Sequence, residues 1–286
     1  MNKRTNIFII LISLFLVGTI YIIITDSKPA ITYFSHDDQT SFEDNYTNLE
    51  FASEKGKNAY EISWNSGSKV DKSIYLRQDA SLLFDNGRLR GVKSKWVQNT
   101  DIISLKENVS SEDSSFFQAI SIHHGEIHYP DDEIKSIQQM SYDELFVVDS
   151  PNTVLESFHV PDNEFKKEWK ELLVRTTKQQ LLYHWHQLTG YFQINYEDYH
   201  AIPFTSLYKY HKKPLPSFNQ EQTNQIIGQL WEGIYKNYIV PAANSEENNL
   251  KSFVPIILVE KQKDHLLVLY ELNGTKQRLI QNLPPF

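Results

Sequence analysis

Apolar and polar residues alternate along much of the first half of the chain, a pattern that predicts short β-strands. Tyr60, Ile62 and Trp64 would share one face of the first strand, which the turn-forming residues Asn65-Ser66-Gly67 would end. Seven or more short strands with frequent turn signals are typical of an antiparallel sheet or small barrel, which we place at residues 58–149. Further strands are predicted at Lys93–Gln98, Asp101–Lys106, Phe116–His123, Glu126–Tyr129, Ile134–Met140 and Leu145–Val148.

Two Asn-Gly dipeptides predict tight hairpins, because a type I′ turn needs a positive φ angle at both of its central residues. Asn86-Gly87 joins Leu82–Asp85 to Arg88–Arg90 and would place Asp85 opposite Arg88. Near the other end of the chain, Asn273-Gly274 would place Glu271 opposite Lys276.

After Ser150-Pro151 the spacing of apolar residues becomes helical, which indicates an α+β region over residues 150–286. This region is either a separate domain or packs as one unit with residues 58–149. A first helix is predicted to open at Pro161-Asp162 and to end at Gly190. Its apolar residues form two stripes, one of Phe165, Trp169, Leu172 and Thr176 and a second of Val174, Leu181, Trp185 and Leu188.

A second helix is predicted to begin at Asn219, with Gln222 as its capping partner, and to stop before Pro241. Three strands follow, at Phe253–Glu260, Leu266–Leu272 and Thr275–Ile280, and their short connections predict a β meander. The predicted fold class is therefore α+β, with an antiparallel β-rich half followed by a half containing two main helices and a three-stranded meander.

The N-terminus predicts a membrane anchor. Ile7–Ile24 is uninterrupted by charge and, with its neighbours, matches the ~20 residues that a transmembrane helix needs. A cleaved signal peptide is the alternative, but the stretch is long for one and its exit carries no small-x-small cleavage site. Lys3 and Arg4 before the span predict a cytoplasmic N-terminus and an extracytoplasmic C-terminal domain. We assign residues 1–25 to a cytoplasmic stub and anchor, and residues 26–57 to a polar stalk or lead-in.

The amino-acid composition excludes several classes of partner and of functional site. The chain has 28 basic and 36 acidic residues, a net charge of −8 and no cysteine. An acidic chain without a long basic run is a poor partner for nucleic acid. The absence of cysteine excludes disulfides, thiolate metal sites and cysteine nucleophiles. A cysteine-free extracytoplasmic domain that is rich in Lys, Asn and Ile is typical of a low-GC Gram-positive bacterium.

One histidine-rich stretch has the spacing of metal ligands. His124, Glu126 and His128 lie at i, i+2 and i+4, which on one strand places all three on one face, and two histidines with a carboxylate can hold zinc or iron. The competing interpretation is a solvent-facing polar edge. Ile120 and Ile122 occupy even positions whereas Ile127 occupies an odd one, which predicts a bulge at His124-Gly125 that would break the stripe.

A second candidate site is a tyrosine-rich segment between the two helices. Such rings can stack on sugars or clamp a peptide, but tyrosines serve at least as often as half-buried core residues. The candidate ligand-binding residues are Tyr191, Tyr196, Tyr199, Tyr208 and Tyr210.

Serine chemistry has little support in the sequence. Ser66–Lys69 and Ser206–Lys209 match S-x-x-K, but no companion motif follows either of them. No cofactor motif is present, so no cofactor is predicted. We therefore expect a single-pass, extracytoplasmic, non-catalytic binding or assembly module with an envelope protein, peptide or glycan partner. The alternative is an envelope hydrolase, assisted by a metal at His124, Glu126 and His128.

Overall fold

The structure, a computed structural model, describes residues 32–55, 59–150, 154–244 and 251–283. Its class is α+β and its sheets are antiparallel, which confirms the predicted class. The predicted anchor, Ile7–Ile24, lies outside the described residues. Within the described ranges, no helix has the length and apolar character required to cross a membrane.

A long β-hairpin organises the first half of the molecule. Strand β2 spans Tyr60–Asp85 and strand β3 spans Arg88–Ser111. Asn86 and Gly87 have φ angles of 47° and 79°, and Asp85 pairs with Arg88, so the predicted turn and register are confirmed. The prediction that Asn65-Ser66-Gly67 ends the first strand is wrong, because β2 continues through these residues.

The hairpin bends where its register shifts between Lys69 and Ile74. Strand β1 pairs with the first part of β2, and β4 pairs with the second part. Trp64 on the first part of β2 donates its indole N–H to Ser81 on the second part, at 3.0 Å, so the two parts face each other across an interior. The sheet comprises β1 (Phe42–Glu54), β2, β3, β4 (Ser115–His128), β5 (Ile134–Val148) and β6 (Glu156–Phe158).

Strand β1 corrects the predicted polar stalk. Residues Phe42–Glu54 lie within the range 26–57, for which no strand was predicted. Only Thr47 and Leu49 of β1 are buried, so the strand lacks the row of inward apolar residues from which strands are recognised.

The second half contains a four-stranded sheet and the helices that pack around it. Glu271 pairs with Lys276, as predicted, and a further strand, β7, joins the predicted meander in the order β10-β9-β8-β7. The strands are β7 (Tyr199–Pro203), β8 (Ile256–Glu260), β9 (His265–Leu272) and β10 (Thr275–Asn282). The α-helices are α1 (Glu164–Tyr191), α2 (Gln220–Ile234) and α3 (Val240–Ala243), with a π-helical turn at Tyr235–Ile239; 3-10 helices span Pro130–Asp132, Tyr196–Asp198 and Phe204–His211.

Helix α1 differs from its prediction in its cap and its buried face. The helix begins at Glu164 and is capped by Asn163, two residues after the predicted opening at Pro161-Asp162, and Gly190 lies inside the helix instead of ending it. Leu172 and Val174, assigned to the apolar stripes, are exposed. The buried face is formed by Leu173, Thr177, Leu181, His184, Trp185, Leu188 and Thr189.

Helix α2 begins as predicted, with the Asn219–Gln222 capping box, but the helical path does not stop before Pro241. Proline has no N–H to donate to the carbonyl four residues earlier, which here belongs to Asn237. The hydroxyl of Tyr270 donates to that carbonyl at 3.0 Å. A tertiary contact therefore satisfies the group that proline leaves open.

The two halves share one core, and the described residues form one compact unit. One face of β4 and β5 lines the interior of the bent sheet, while the other is covered by the second half. On that outer face Trp231 of α2 donates to the Met140 sulfur at 3.3 Å, and the ring of Tyr208 stacks on Tyr142 at 4.3 Å.

Candidate functional site

A cavity of 370 Å³ opens beside strand β5, between that strand, the start of α2 and the residues that precede β1. Residues 32–41 form part of the predicted stalk, 26–57, and from here on we call these ten residues alone the lead-in segment. The polar and apolar groups that line the cavity include Tyr33, Asp37, Thr40, Gln138, Met140 and Asn224.

Ser136 on β5 attaches the lead-in segment to the sheet. Its backbone carbonyl accepts from the N–H of Asp37 at 3.0 Å, and its own N–H donates to Ser35 at 2.9 Å. Its hydroxyl donates to the carbonyl of Phe34 at 2.9 Å and accepts from that residue's N–H at 3.2 Å. The lead-in segment thus extends the edge of β5 by one short parallel bridge and forms one wall of the cavity.

A close approach at α2 holds the start of the same segment. The backbone N–H of Tyr33 donates to the Glu232 carboxylate at 3.0 Å. The Tyr33 ring lies so near Gly228 that a Cβ added to this glycine would be 2.2 Å from the ring. Gly228 therefore makes room for the aromatic side chain that closes this side of the cavity.

Two buried oxygens on the cavity wall lack hydrogen-bond partners in the part of the chain that the structure describes. Asp37 is fully buried, and its Oδ1 accepts from the hydroxyl of Tyr129 at 2.8 Å, but Oδ2 has no partner. The hydroxyl of Thr40, also buried, lies near this carboxylate and helps to lower its pKa.

The Asp37 carboxylate is ionised at neutral pH. Burial raises the pKa of Asp37, but the nearby hydroxyls of Thr40 and Tyr129 and the charges of Lys72 and Lys135 outweigh it and leave that pKa below its ordinary value. A buried carboxylate oxygen without a partner is costly, because it loses hydration without gaining a hydrogen bond. Asp37 Oδ2 and Thr40 Oγ1 each expose less than 1 Å², so they stabilise the cavity wall from behind rather than facing into the cavity.

The predicted metal ligands lie along one strand but at very different depths. His124 is fully buried, whereas Glu126 and His128 approach the surface, where their side chains pair at 2.5 Å and His128 stacks on Tyr75 at 3.8 Å. Among the described residues, no group of three His, Cys, Asp or Glu side chains is placed to hold a metal ion.

The bulge predicted at His124-Gly125 is wrong. Strand β4 pairs with β5 in continuous register from Ser115 to His128. The apolar pattern changes parity because both faces of β4 are covered. Even-numbered Ile120 and Ile122 face the second half of the molecule, and odd-numbered Ile127 joins an apolar cluster inside the bent sheet.

The five candidate tyrosines do not form one surface. Tyr199 lines an open groove of 510 Å³ near the end of α1, where its hydroxyl lies 3.0 Å from Nε2 of His265. Tyr191 is 63% exposed nearby, and Tyr196 is half-buried against His186. The half-buried residues Tyr208 and Tyr210 belong to the following 3-10 helix instead.

The interior of the bent sheet contains a polar layer that the sequence did not indicate. His123 Nδ1 lies 2.8 Å from Asp79 Oδ2, and its Nε2 lies 2.7 Å from the hydroxyl of Ser141. Arg77 and Asp79 form a fully buried ion pair at 3.8 Å, and burial lowers the pKa of Arg77 despite this partner. The further members of this layer are Thr47, Ser66, Ser68, Ser81 and Ser121.

This polar layer separates two apolar clusters. Leu49, Trp64 and Phe117 belong to the cluster at one end, and Val70 and Ile137 belong to the cluster at the other. Inward polar residues at alternate positions of β2 and β4 are the only sequence signal for it. That signal is indistinguishable from the polar face of a sheet exposed to water.

Comparison with known proteins identifies no family. No protein-family model matches the chain, and no curated protein sequence matches it. The chain has 13% identity and a TM-score of 0.25 to the solution structure of AT1g01470 from Arabidopsis thaliana, covering 45% of this chain and 91% of that one. A glycosyl hydrolase family 2 member from Bacteroides cellulosilyticus gives 13% identity and a TM-score of 0.24, covering 41% and 17% of the respective chains. Similarity at this level carries no argument about fold or function.

Proposed function

We propose that this chain is a single-pass, N-anchored, extracytoplasmic protein of the bacterial envelope that acts as a non-catalytic binding module. The anchor rests on the uncharged span Ile7–Ile24 and on the two basic residues that precede it. The binding role rests on the cavity between the lead-in segment, β5 and α2.

The cavity supports binding because its size and its polar groups suit a small ligand or one side chain of a partner. Its 370 Å³ lies in the ~300–1,000 Å³ range of small-molecule sites. Apolar Met140 and Ile227 line the cavity together with the amide residues Gln138, Gln139 and Asn224. An apolar lining with a few polar groups is typical of sites that fix the orientation of a ligand.

Blocking the cavity tests this proposal. Asn224 is an exposed residue of α2 that lines the cavity, and Asn224→Trp should fill its entrance. Glu221→Trp is the matched control, because Glu221 is exposed on the same helix and does not line the cavity. Tagged full-length proteins would be captured from cross-linked intact envelope and from untreated membranes. We expect a small molecule or protein that accompanies the wild type and Glu221→Trp to be lost from Asn224→Trp. An unchanged set of co-purifying molecules would exclude the cavity as the binding site.

A serine hydrolase is a second candidate, favoured by the Asp79–His123–Ser141 arrangement. The distances of 2.8 and 2.7 Å have the order found in nucleophilic triads, with Nδ1 toward the carboxylate and Nε2 toward the hydroxyl. Against it, the Ser141 hydroxyl also contacts Thr47 at 2.6 Å, and neither Ser141 nor His123 lines the cavity. A fluorophosphonate probe should leave the full-length protein unlabelled. Labelling that Ser141→Ala abolishes and Ser206→Ala preserves would establish the hydrolase instead.

A further inference from the structure

Strand β10 is an open edge of the four-stranded sheet. It pairs with β9 on one side, and among the described residues no strand pairs with its other side. Most of its residues are exposed, and Ile280 keeps 52% of its surface in contact with solvent. The opposite edge, β7, is largely covered and ends at Pro203, which has no N–H to donate. A further strand could therefore be added to this sheet at β10.

The register of the β9–β10 hairpin determines which backbone groups point outward. Antiparallel strands alternate between residue pairs that exchange hydrogen bonds and pairs that exchange none. A two-residue turn makes Thr275 a bonded residue, and the series continues to Leu283, whose N–H donates to Asp264 at 2.9 Å. No backbone hydrogen bond joins the alternate, outward groups to another described residue. These outward groups include the N–H and C=O of Lys276, Arg278 and Ile280.

Two of these residues make the open edge basic. The Lys276 ammonium lies 4.9 Å from the centre of the Tyr191 ring. The Arg278 guanidinium lies 5.4 Å from the centre of the Phe192 ring. Neither forms an ion pair with a carboxylate of the described residues, although Glu271 is the cross-strand neighbour of Lys276. In a chain of net charge −8, this edge is a local site that favours an acidic partner.

An open groove lies on the same face of the sheet. The groove of 510 Å³ near the end of α1 is lined by Arg278 and Ile280 on one side and by Phe192 on the other. Its acidic residue, Asp198, accepts a hydrogen bond from Asn195 at 2.9 Å. Directly paired residues of antiparallel strands share a face, so alternate side chains of an added strand would lie along this groove.

We propose that β10 binds an extended acidic segment of a protein partner as a fifth, antiparallel strand. The backbone of this segment would exchange hydrogen bonds with the outward groups of β10. Its side chains would place carboxylates opposite Lys276 and Arg278 and an apolar group opposite Ile280, so the partner sequence reads apolar-x-acidic-x-acidic. A second copy of the chain would bring two basic edges together, which like-charge repulsion opposes. This surface shares no lining residue with the cavity, so the inference goes beyond the proposed binding site.

Two peptides test the charge preference. One has the sequence Thr-Val-Thr-Glu-Thr-Glu-Thr, and the other has lysine in place of both glutamates. Each would carry a fluorophore, and its binding to the full-length protein in non-ionic detergent micelles would be measured by fluorescence anisotropy. We expect the glutamate peptide to bind about tenfold more tightly, because two attractive cross-strand pairs replace two repulsive ones.

A charge swap assigns the preference to β10. Lys276→Glu combined with Arg278→Glu should reverse the preference, so that the lysine peptide binds more tightly than the glutamate peptide. Arg175→Glu combined with Lys178→Glu is the matched control, because it makes the same change of net charge at exposed residues of α1. The control should retain the preference of the wild type.

Loss of single N–H groups tests the backbone pairing. N-methylation of both glutamate residues in the peptide blocks amides that would donate to β10 and should abolish binding. N-methylation of the two threonines that precede them blocks amides that point away from β10 and should preserve it. Ile280→Pro removes an outward N–H without breaking a bond to β9, so it should weaken peptide binding while the melting temperature stays nearly unchanged.

Several outcomes would overturn the inference. These are failure of the glutamate peptide to bind the wild type, equal binding of the two peptides, and binding that tolerates methylated glutamate amides. Concentration-dependent dimerisation of the wild type that Ile280→Pro abolishes would assign the edge to a second copy instead. None of these results changes the comparison of Asn224→Trp with Glu221→Trp, which tests the cavity separately.

Discussion

His124 shows how the environment of one residue sets its chemistry. The residue is fully buried, and its Nδ1 lies 3.3 Å from the amide nitrogen of Gln138. Its Nε2, and both amide atoms of its cross-strand neighbour Gln78, lack partners in the described ranges. Burial, reinforced by the charge of Arg77 and opposed by Asp79 and Glu232, lowers the pKa of His124 to about 4. The imidazole is therefore neutral at physiological pH.

This shift predicts a pH dependence of stability. The ordinary pKa of His124 is 6.5, so between pH 6.5 and about pH 4 the unfolded chain holds a proton that the folded chain does not. Folding stability should therefore fall as pH falls through this window. Between pH 7 and pH 5, the wild type should lose about 2 kcal/mol more than His124→Gln. Glutamine can keep a hydrogen bond to Gln138 without titrating.

The measurement is urea unfolding of the full-length proteins in detergent micelles, followed by tryptophan fluorescence at a series of pH values. Other titrating groups are common to both proteins, so their effects cancel in the difference. Equal losses of stability in the wild type and in His124→Gln would show that the His124 imidazole is not held neutral in the folded state.

At the same scale, the sequence indicates the environment of a side chain only where residues adjacent in the chain determine that environment. It singled out His124 for its spacing, but not Asp37, Asp79 or Ser141. The partners of these three lie far along the chain, such as Tyr129 for Asp37 and His123 for Ser141. Nothing in the residues adjacent to them records that they are buried, so the candidate cavity and the polar layer could not be predicted from the sequence.

At the scale of elements, turns were predictable because their geometry depends on two adjacent residues. Both Asn-Gly hairpins have the predicted register, with φ angles of 52° and 77° at Asn273 and Gly274. Strand length was not predictable. Gly67 was read as a turn residue, but in β2 it allows close contact, since a Cβ there would be 2.8 Å from the carbonyl oxygen of Ile103. A glycine selected for space and one selected for a positive φ are identical in sequence.

At the scale of the whole molecule, different periodicities divide the chain into a β-rich region, 58–149, and an α+β region, 150–286, and leave open whether the two pack as one unit. The structure shows why the periodicity of apolar residues does not indicate that these two regions share one core. Strands β4 and β5 are covered on both faces, so residues on both faces are mostly buried or partly buried. The lead-in segment joins both halves, through Ser136 on β5 and Glu232 on α2.

Six residues separate the lead-in segment from the predicted anchor, which ends at residue 25, so membrane topology determines on which side of the membrane the cavity operates. The full-length protein should sediment with membranes, and protease added to intact protoplasts should remove its C-terminal portion. Leu14→Arg combined with Val17→Arg should release the chain from the membrane, because each arginine at the centre of a span costs about 2.5–3.5 kcal/mol. Ser13→Ala is the matched control and should remain membrane-bound. A soluble wild-type product beginning near Asp26 would instead indicate signal cleavage, and protection from external protease would place the cavity on the cytoplasmic side.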